Sequence, residues 1–289
     1  MRHSVYTQCH RNPKGYYLTN ETYLRRMPRP KILLTNDDGI NSSGLWAAYD
    51  ALSTFADVRV VAPATQQSAV GRSISIFEPL RMNKVTMHGT QAYAVGGRPT
   101  DSLLLGLYGL GLKPDLVVSG INLGENISFE SITTSGTVGA AMEAANQGVP
   151  SLAYSLQMSD LGNKAEKPRS RPLDFTQSKE VMIKLTKLFL EKGLPKNSHL
   201  ININIPAAKI EGYEVTVLGE RLFKTSVEKR IDPRGKPYYW INGELIYIPE
   251  EHSDVTALRQ NLVSITPLTM DNTAFKACDD LKKMIADVN

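Results

Sequence analysis

Apolar residues along this 289-residue chain fall into short continuous runs, with helically spaced stretches between them. The runs at 32–35, 58–62, 116–119, 151–155, 200–205 and 263–267 have the length and Val/Ile/Leu content of buried strands. Between them, 45–55 sets Leu45, Ala48, Leu52 and Phe55 on one helical face, and 175–192 does the same with Val181, Leu185, Leu188 and Phe189. Further helices are predicted at 101–110, 136–147 and 271–288. Strands alternating with helices across short loops predict an α/β fold around a mostly parallel sheet with right-handed crossovers. Residues 73–96 read as extended excursions, at 73–77, 85–87 and 92–95, and the polar stretch 157–172 reads as a long surface loop. From 213 to 250 several short extended runs surround the turn Asp232-Pro233-Arg234-Gly235. Such a C-terminal β-hairpin arm buries little by itself: the plainer reading is a surface flap, and the functional reading, which is the expectation here, is an oligomerisation arm.

The ends of these strands carry the chemistry. The first run stops at Asn36-Asp37-Asp38-Gly39, the place where open α/β sheets hold their ligands. Side chains alternate along a strand, so adjacent aspartates face one site only where the backbone turns, and Gly39 supplies that turn. Two carboxylates held together repel unless a cation lies between them. The plainer reading is a solvated turn, for which Asp, Asn and Gly are ordinary residues. The run Val117-Val118-Ser119-Gly120-Ile121-Asn122 repeats the design, and the amide oxygen of Asn122 suits a hard cation such as Mg²⁺ or Mn²⁺. Ser68, in the loop after the second strand, opens on the same sheet edge. The plainer reading of Ser68 and Asn122 is that they satisfy loop backbone groups. In Ser135-Gly136-Thr137-Val138-Gly139, Ser135 reads as an N-cap, and the free backbone N–H groups at the helix start favour an anion. A carboxylate-bound cation and an anion-binding helix start on one crevice describe metal-assisted phosphoryl transfer.

Composition narrows the field. No apolar run is long enough to cross a bilayer. Cys9 and Cys278 form no metal-ligand or redox spacing, which suits a cytoplasmic protein. The net charge of +4 is carried by the first thirty residues, where Arg2, Arg11, Lys14, Arg25, Arg26 and Arg29 face Glu21 alone. The remainder is near neutral, so no nucleic-acid polymer is expected as a partner. That basic segment lacks apolar periodicity and contains Pro13, Gly15, Pro28 and Pro30. Residues 1–30 are therefore expected to be a disordered extension outside a single domain over 31–289. A P-loop, a Gly-x-Ser-x-Gly elbow and zincin histidine spacing are all absent.

Taken in order, several motifs resemble the SurE survival-protein family. They are Asn36-Asp37-Asp38-Gly39, Gln67-Ser68, Ser119-Gly120-Ile121-Asn122-x-Gly124-x-Asn126, the stretch from Ser135 to Ala144, and Ser264-Ile265-Thr266-Pro267-Leu268. The resemblance runs from about residue 31 to 270 and implies a metal-dependent 5′/3′-nucleotidase that hydrolyses nucleoside monophosphates, in some members also short polyphosphate. It implies one divalent cation (Mg²⁺ or Mn²⁺) on Asp37, Asp38, Ser68 and Asn122, with Asp37 and Asp38 as the catalytic pair. It also implies a Rossmann-like three-layer core with a mostly parallel sheet, a swapped carboxyl-terminal arm, and a homodimer or homotetramer. Substrate phosphate is then expected against Asn36, Asn126, Ser135, Gly136 and Thr137. A non-catalytic metal- and nucleotide-binding regulatory protein is the alternative. The chain departs from the pattern in its basic extension, and in Gln66-Gln67-Ser68-Ala69-Val70-Gly71 where many relatives have an Arg-rich Ser-Gly-Ala loop. It also has Thr134 where an aromatic is frequent and Arg98 where Thr is common.

Overall fold

A computed structural model describes residues 28–158, 173–220, 223–286 and 288, together with a two-residue strand pair at 10–11 and 17–18. Most of the 1–30 extension and of the 157–172 loop lies outside the described residues. Arg29 and Pro30 are already tied to the body: the Arg29 guanidinium donates to the carbonyls of Ser53 and Ala56, and the Pro30 carbonyl accepts from Asp57.

From residue 31 the strands are β1 (Lys31–Thr35), β2 (Asp57–Pro63), β3 (Met82–Met87), β4 (Thr90–Val95), β5 (Leu116–Leu123), β6 (Ser151–Leu156), β7 (Leu200–Ile205), β8 (Gly212–Val215), β9 (Phe223–Ile231), β10 (Pro237–Leu245) and β11 (Leu262–Leu268). Nine of them form one sheet in the order β8-β11-β7-β6-β5-β1-β2-β4-β3, while β9 and β10 pair only with each other. All neighbours in the sheet are parallel except β11 with β7 and β3 with β4. The helices are α1 (Ser43–Ser53), α2 (Pro99–Leu104), α3 (Ser128–Thr134), α4 (Gly136–Asn146), α5 (Thr176–Lys192), α6 (Asp254–Arg259) and α7 (Phe275–Ala286).

Period-two alternation builds the three layers. On one face, Ile32 and Leu34 of β1 join Leu45 and Leu52 of α1 and Val181 and Leu185 of α5. On the other, Leu33 meets Leu103 of α2 and Ala144 of α4. Burying each of these Leu, Ile or Val side chains contributes about 1.5–3 kcal/mol. In β7, Ile201, Ile203 and Ile205 join the first cluster, while Asn202 and Asn204 alternate to the opposite face.

The chain runs outward from β1 to β2 and β4, then returns to place β5 on the other side of β1. Loops after β1 and β5 therefore diverge, leaving a crevice at the carboxyl edge of the sheet. Thr35 stands in register with Ser119, so the two acidic and amide-bearing turns leave the sheet side by side.

Three expectations change. Residues 73–77 are not a strand, because the backbone N–H and hydroxyl of Ser75 bond the carboxylate of Asp101, and Phe77 is 97% exposed. The helix expected at 101–110 starts at Pro99, where the Asp101 carboxylate accepts from the Arg98 backbone N–H at 2.8 Å, and its last turn (Leu105–Gly109) is a π-helix. The arm is narrower than 213–250: Gly212–Val215 pairs in parallel with β11, which leaves only the hairpin β9–β10. That hairpin exposes Val227, Trp240 and Ile241, and α7 buries none of its residues.

Candidate active site

Asn36 shapes the turn after β1. Its buried side chain clasps Gly39, accepting from the glycine N–H and donating to its carbonyl, both at 3.2 Å. Gly39 has φ +92°, which a side chain would oppose. Asp37, only 8% exposed, then points toward the start of α4. The hydroxyl of Thr137 donates to its Oδ1, and the Thr137 backbone also supports the carboxylate. Gly136 makes this approach possible, because a Cβ there would lie 2.8 Å from that of Asp37. Burial, and then the charge of Asp38, push the Asp37 carboxyl up to about 7, against the bonds from Thr137.

Asp38 is held from two sides, its Oδ2 by the N–H of Leu123 at 3.1 Å and its Oδ1 by the Gln66 amide at 3.3 Å. The same Gln66 nitrogen reaches Ser68 Oγ at 3.2 Å. Asn122 follows a register shift in β5, the kind of irregularity that re-aims a side chain. Its amide nitrogen donates to the Gly124 carbonyl at 2.6 Å, leaving Oδ1 for another partner.

Asp37, Asp38, Ser68 and Asn122 line one cleft of about 220 Å³, together with Asn126 and Ser135. Ser135 caps α4, its hydroxyl accepting from Val138 N–H at 3.1 Å. Asn126 is pinned within a polar network: its N–H reaches Asn204, its side-chain nitrogen Ser155, and its carbonyl accepts from Asn202 and Asn204. Asn36, Gly136 and Thr137 do not line the cleft. Asn36 serves the turn, and the other two stand behind Asp37.

Sequence reading overlooked Gln66, although it sits two residues before Ser68. It also overlooked the ties on the Ser68 loop. Gly71 N–H bonds the Thr134 carbonyl at 2.8 Å, and Arg72 pairs with Glu143, which is 1% exposed. Arg72 and Glu143 are 71 positions apart, so no local pattern announces them.

The donor set fits a hard divalent cation. Two carboxylates, a hydroxyl and an amide oxygen are all oxygen ligands. The one Gln66 amide nitrogen that donates to both Asp38 Oδ1 and Ser68 Oγ shows these two oxygens turned toward a common point. Among the described residues no group of three or more His, Cys, Asp or Glu side chains is arranged to hold a metal, so this mixed set is the candidate.

Comparison with known proteins gives a concordant picture. A family profile described as "Survival protein SurE" matches residues 32–225. A protein named "5'-nucleotidase SurE" from Methanocorpusculum labreanum is 84% identical over 263 residues, covering 91% of this chain and 100% of its own. One of the same name from Methanoculleus marisnigri is 63% identical, covering 88% of this chain and 97% of its own. The crystal structure of the SurE protein from Aquifex aeolicus superposes with a TM-score of 0.73 at 38% identity, covering 88% of this chain and 99% of that one.

Proposed function

The chain belongs to the SurE survival-protein family, and from that premise we propose that it is a 5′-nucleotidase, a metal-dependent hydrolase that releases phosphate from nucleoside monophosphates. The observation that carries this reading is the buried Asp37 beside Asp38 in a cleft shared with Ser68 and Asn122. One divalent cation, Mg²⁺ or Mn²⁺, is assigned to these four residues; when bound it supplies Lewis-acid polarisation of the phosphoryl oxygens and an acidified water.

The protein's own groups do the rest. Asp37, oriented by Thr137, accepts a proton from the attacking water as that oxygen bonds to phosphorus and the ester P–O bond breaks. The leaving ribose oxygen takes up a proton, giving nucleoside and inorganic phosphate. Ser135 and Asn126, which both line the cleft, are assigned to the equatorial oxygens, where charge spreads in the transition state. Gln66 keeps Asp38 and Ser68 together, and the Arg72–Glu143 pair fixes the loop that carries Gln66 and Ser68.

The reading extends to 3′-monophosphates and short polyphosphate, to a cytoplasmic setting, and to a homodimer or homotetramer. The exposed apolar residues of the hairpin and of α7 support a second copy of the chain as partner, and no helix among the described residues is long and apolar enough to cross a membrane. Sedimentation velocity tests the assembly: a single monomeric species at micromolar concentration refutes it. The activity is tested by phosphate release from a panel of nucleoside 5′- and 3′-monophosphates and polyphosphate, with and without chelator. Release that disappears with chelator and returns with Mg²⁺ or Mn²⁺ is expected; release that survives complete metal removal overturns the reading.

A further inference from the structure

Glu125 and Phe223 also line the cleft and have no part in that hydrolytic chemistry. Glu125 sits on the loop after β5, whose backbone is fixed on both sides. Gly124 N–H bonds the Leu156 carbonyl at 2.8 Å, and Asn126 N–H bonds Asn204 Oδ1 at 2.8 Å. Its Oε2 is buried and has no hydrogen-bond partner among the described residues. Phe223 opens the hairpin, with its N–H on Glu130 Oε2 at 3.1 Å. Its half-buried ring packs on Ile127, Val255 and Leu258. Ile127 is two residues from Glu125, so ring and carboxylate share one stretch of the rim.

A third acid is out of place if the cleft receives phosphate alone. A carboxylate only accepts hydrogen bonds and repels a phosphate, so it suits a ligand that brings donors. A nucleoside monophosphate has three parts of different chemistry: an anionic phosphate, a ribose bearing hydroxyl donors, and a flat base. The aspartates, Ser68, Asn122 and the α4 start answer the first part. We propose that Glu125 and Phe223 answer the other two, Glu125 accepting from the ribose hydroxyls and Phe223 stacking on the base. A carboxylate lining the cleft can accept from such hydroxyls, and a partly buried aromatic ring on the same lining offers a stacking surface tolerant of any base. This nucleoside end of the cleft rests on the nucleotidase reading given above.

Calorimetric titration of the full chain with Mg²⁺ present tests the assignment. The probes are the non-hydrolysable 5′-methylenephosphonate analogue of adenosine monophosphate, its 2′,3′-dideoxy counterpart, and inorganic phosphate. The ribose analogue is expected to bind about tenfold more tightly than the dideoxy one. In Glu125→Ala the two should bind within about twofold of each other, while inorganic phosphate binds as well as before or better. Phe223→Leu should weaken both nucleoside analogues by about three- to tenfold and keep their ratio. An unchanged ratio in Glu125→Ala overturns the ribose assignment. A parallel loss of phosphate affinity also overturns it, because Glu125 would then only maintain the loop. Phosphate release from p-nitrophenyl phosphate by the wild type judges the hydrolase reading separately. No release alongside an intact ribose ratio would sink that reading and leave the nucleoside end supported.

Discussion

Two of the buried aspartates, Asp254 and Asp37, differ in what surrounds them. Asp254, at the start of α6, accepts three backbone N–H groups: Gly219 and Val255 on Oδ1 and Ser128 on Oδ2, each at 2.9 Å. Asp37, at the end of β1, leans on Thr137 and faces Asp38 across an open cleft. Burial pushes both carboxyls above the ordinary range, but for Asp37 the second cause is a like charge, and for Asp254 every other contribution is a stabilising backbone bond. A buried carboxylate surrounded by fixed neutral donors is a tie: here it fastens α3, the segment at Gly219 and α6 together. A buried carboxylate beside another is incomplete until a cation arrives. Burial alone therefore does not identify a functional acid; the partners do.

The same substitution should have opposite consequences at the two sites. Asp37→Asn removes a charge that binds the cation and takes up a proton, so turnover should fall by about 10²–10³-fold. The metal-free protein should become no less stable, because a repelling buried charge is gone. Unchanged turnover at saturating Mn²⁺ would break the assignment. Asp254→Asn turns an amide N–H toward the N–H of Ser128, or else forfeits the bonds on Oδ1 by flipping. A loss of about 2–3 kcal/mol in urea unfolding is expected, with cation affinity retained below the transition. If Asp254→Asn abolished metal binding without loss of stability, the contrast between tie and site would be wrong.

That Asp37, Asp38, Ser68 and Asn122 meet at one sheet edge is legible in the sequence, and the ties of Asp254 are not. Asp37, Asp38, Ser68 and Asn122 each follow a short apolar run, and parallel topology brings such strand ends to one edge whatever lies between them. The ties of Asp254 span 35 residues to Gly219 and 126 to Ser128, distances over which one sequence carries no pairing signal. The helices α3 and α6 are too short to display an apolar period. Sequence position suggests phosphate contacts for Asn36, at a strand end, and for the backbone N–H of Thr137, at a helix start. Their side chains turn inward instead, one to Gly39 and one to Asp37, and that choice depends on three-dimensional neighbours. Leu200 to Ile205 was plain as a strand, but only the fold shows Asn202 and Asn204 holding Asn126.

Acid–base linkage sharpens the comparison with a smaller effect. Both carboxyls have folded-state pKa values above the unfolded value near 3.8, so the folded state binds the proton more tightly. Each then contributes stability that is fully present below about pH 4 and is lost as pH rises through its folded value. For Asp37 that window runs from about 4 to about 7. Metal-free protein should therefore lose stability across this range. Saturating Mg²⁺ should flatten the Asp37 part and leave the Asp254 part, which only Asp254→Asn removes. An identical pH slope with and without cation would contradict the two-aspartate picture.

The smallest predicted change lies at Thr137, which is fully buried and touches the cleft only through Asp37. Thr137→Val keeps the shape and deletes the hydroxyl that lowers the Asp37 pKa. Raising that pKa has two opposed results. At pH 6 more of the carboxyl is protonated, so a proton competes with the cation and apparent Mg²⁺ affinity should fall by about three- to tenfold. At pH 8.5 the carboxylate is ionised in either protein, and the more basic variant should bind the cation as tightly as wild type or slightly better. Calorimetric titrations at the two pH values therefore separate a hydroxyl that sets the charge state of Asp37 from one that merely fills space. A residue acting through packing alone would give the same fold-change at both.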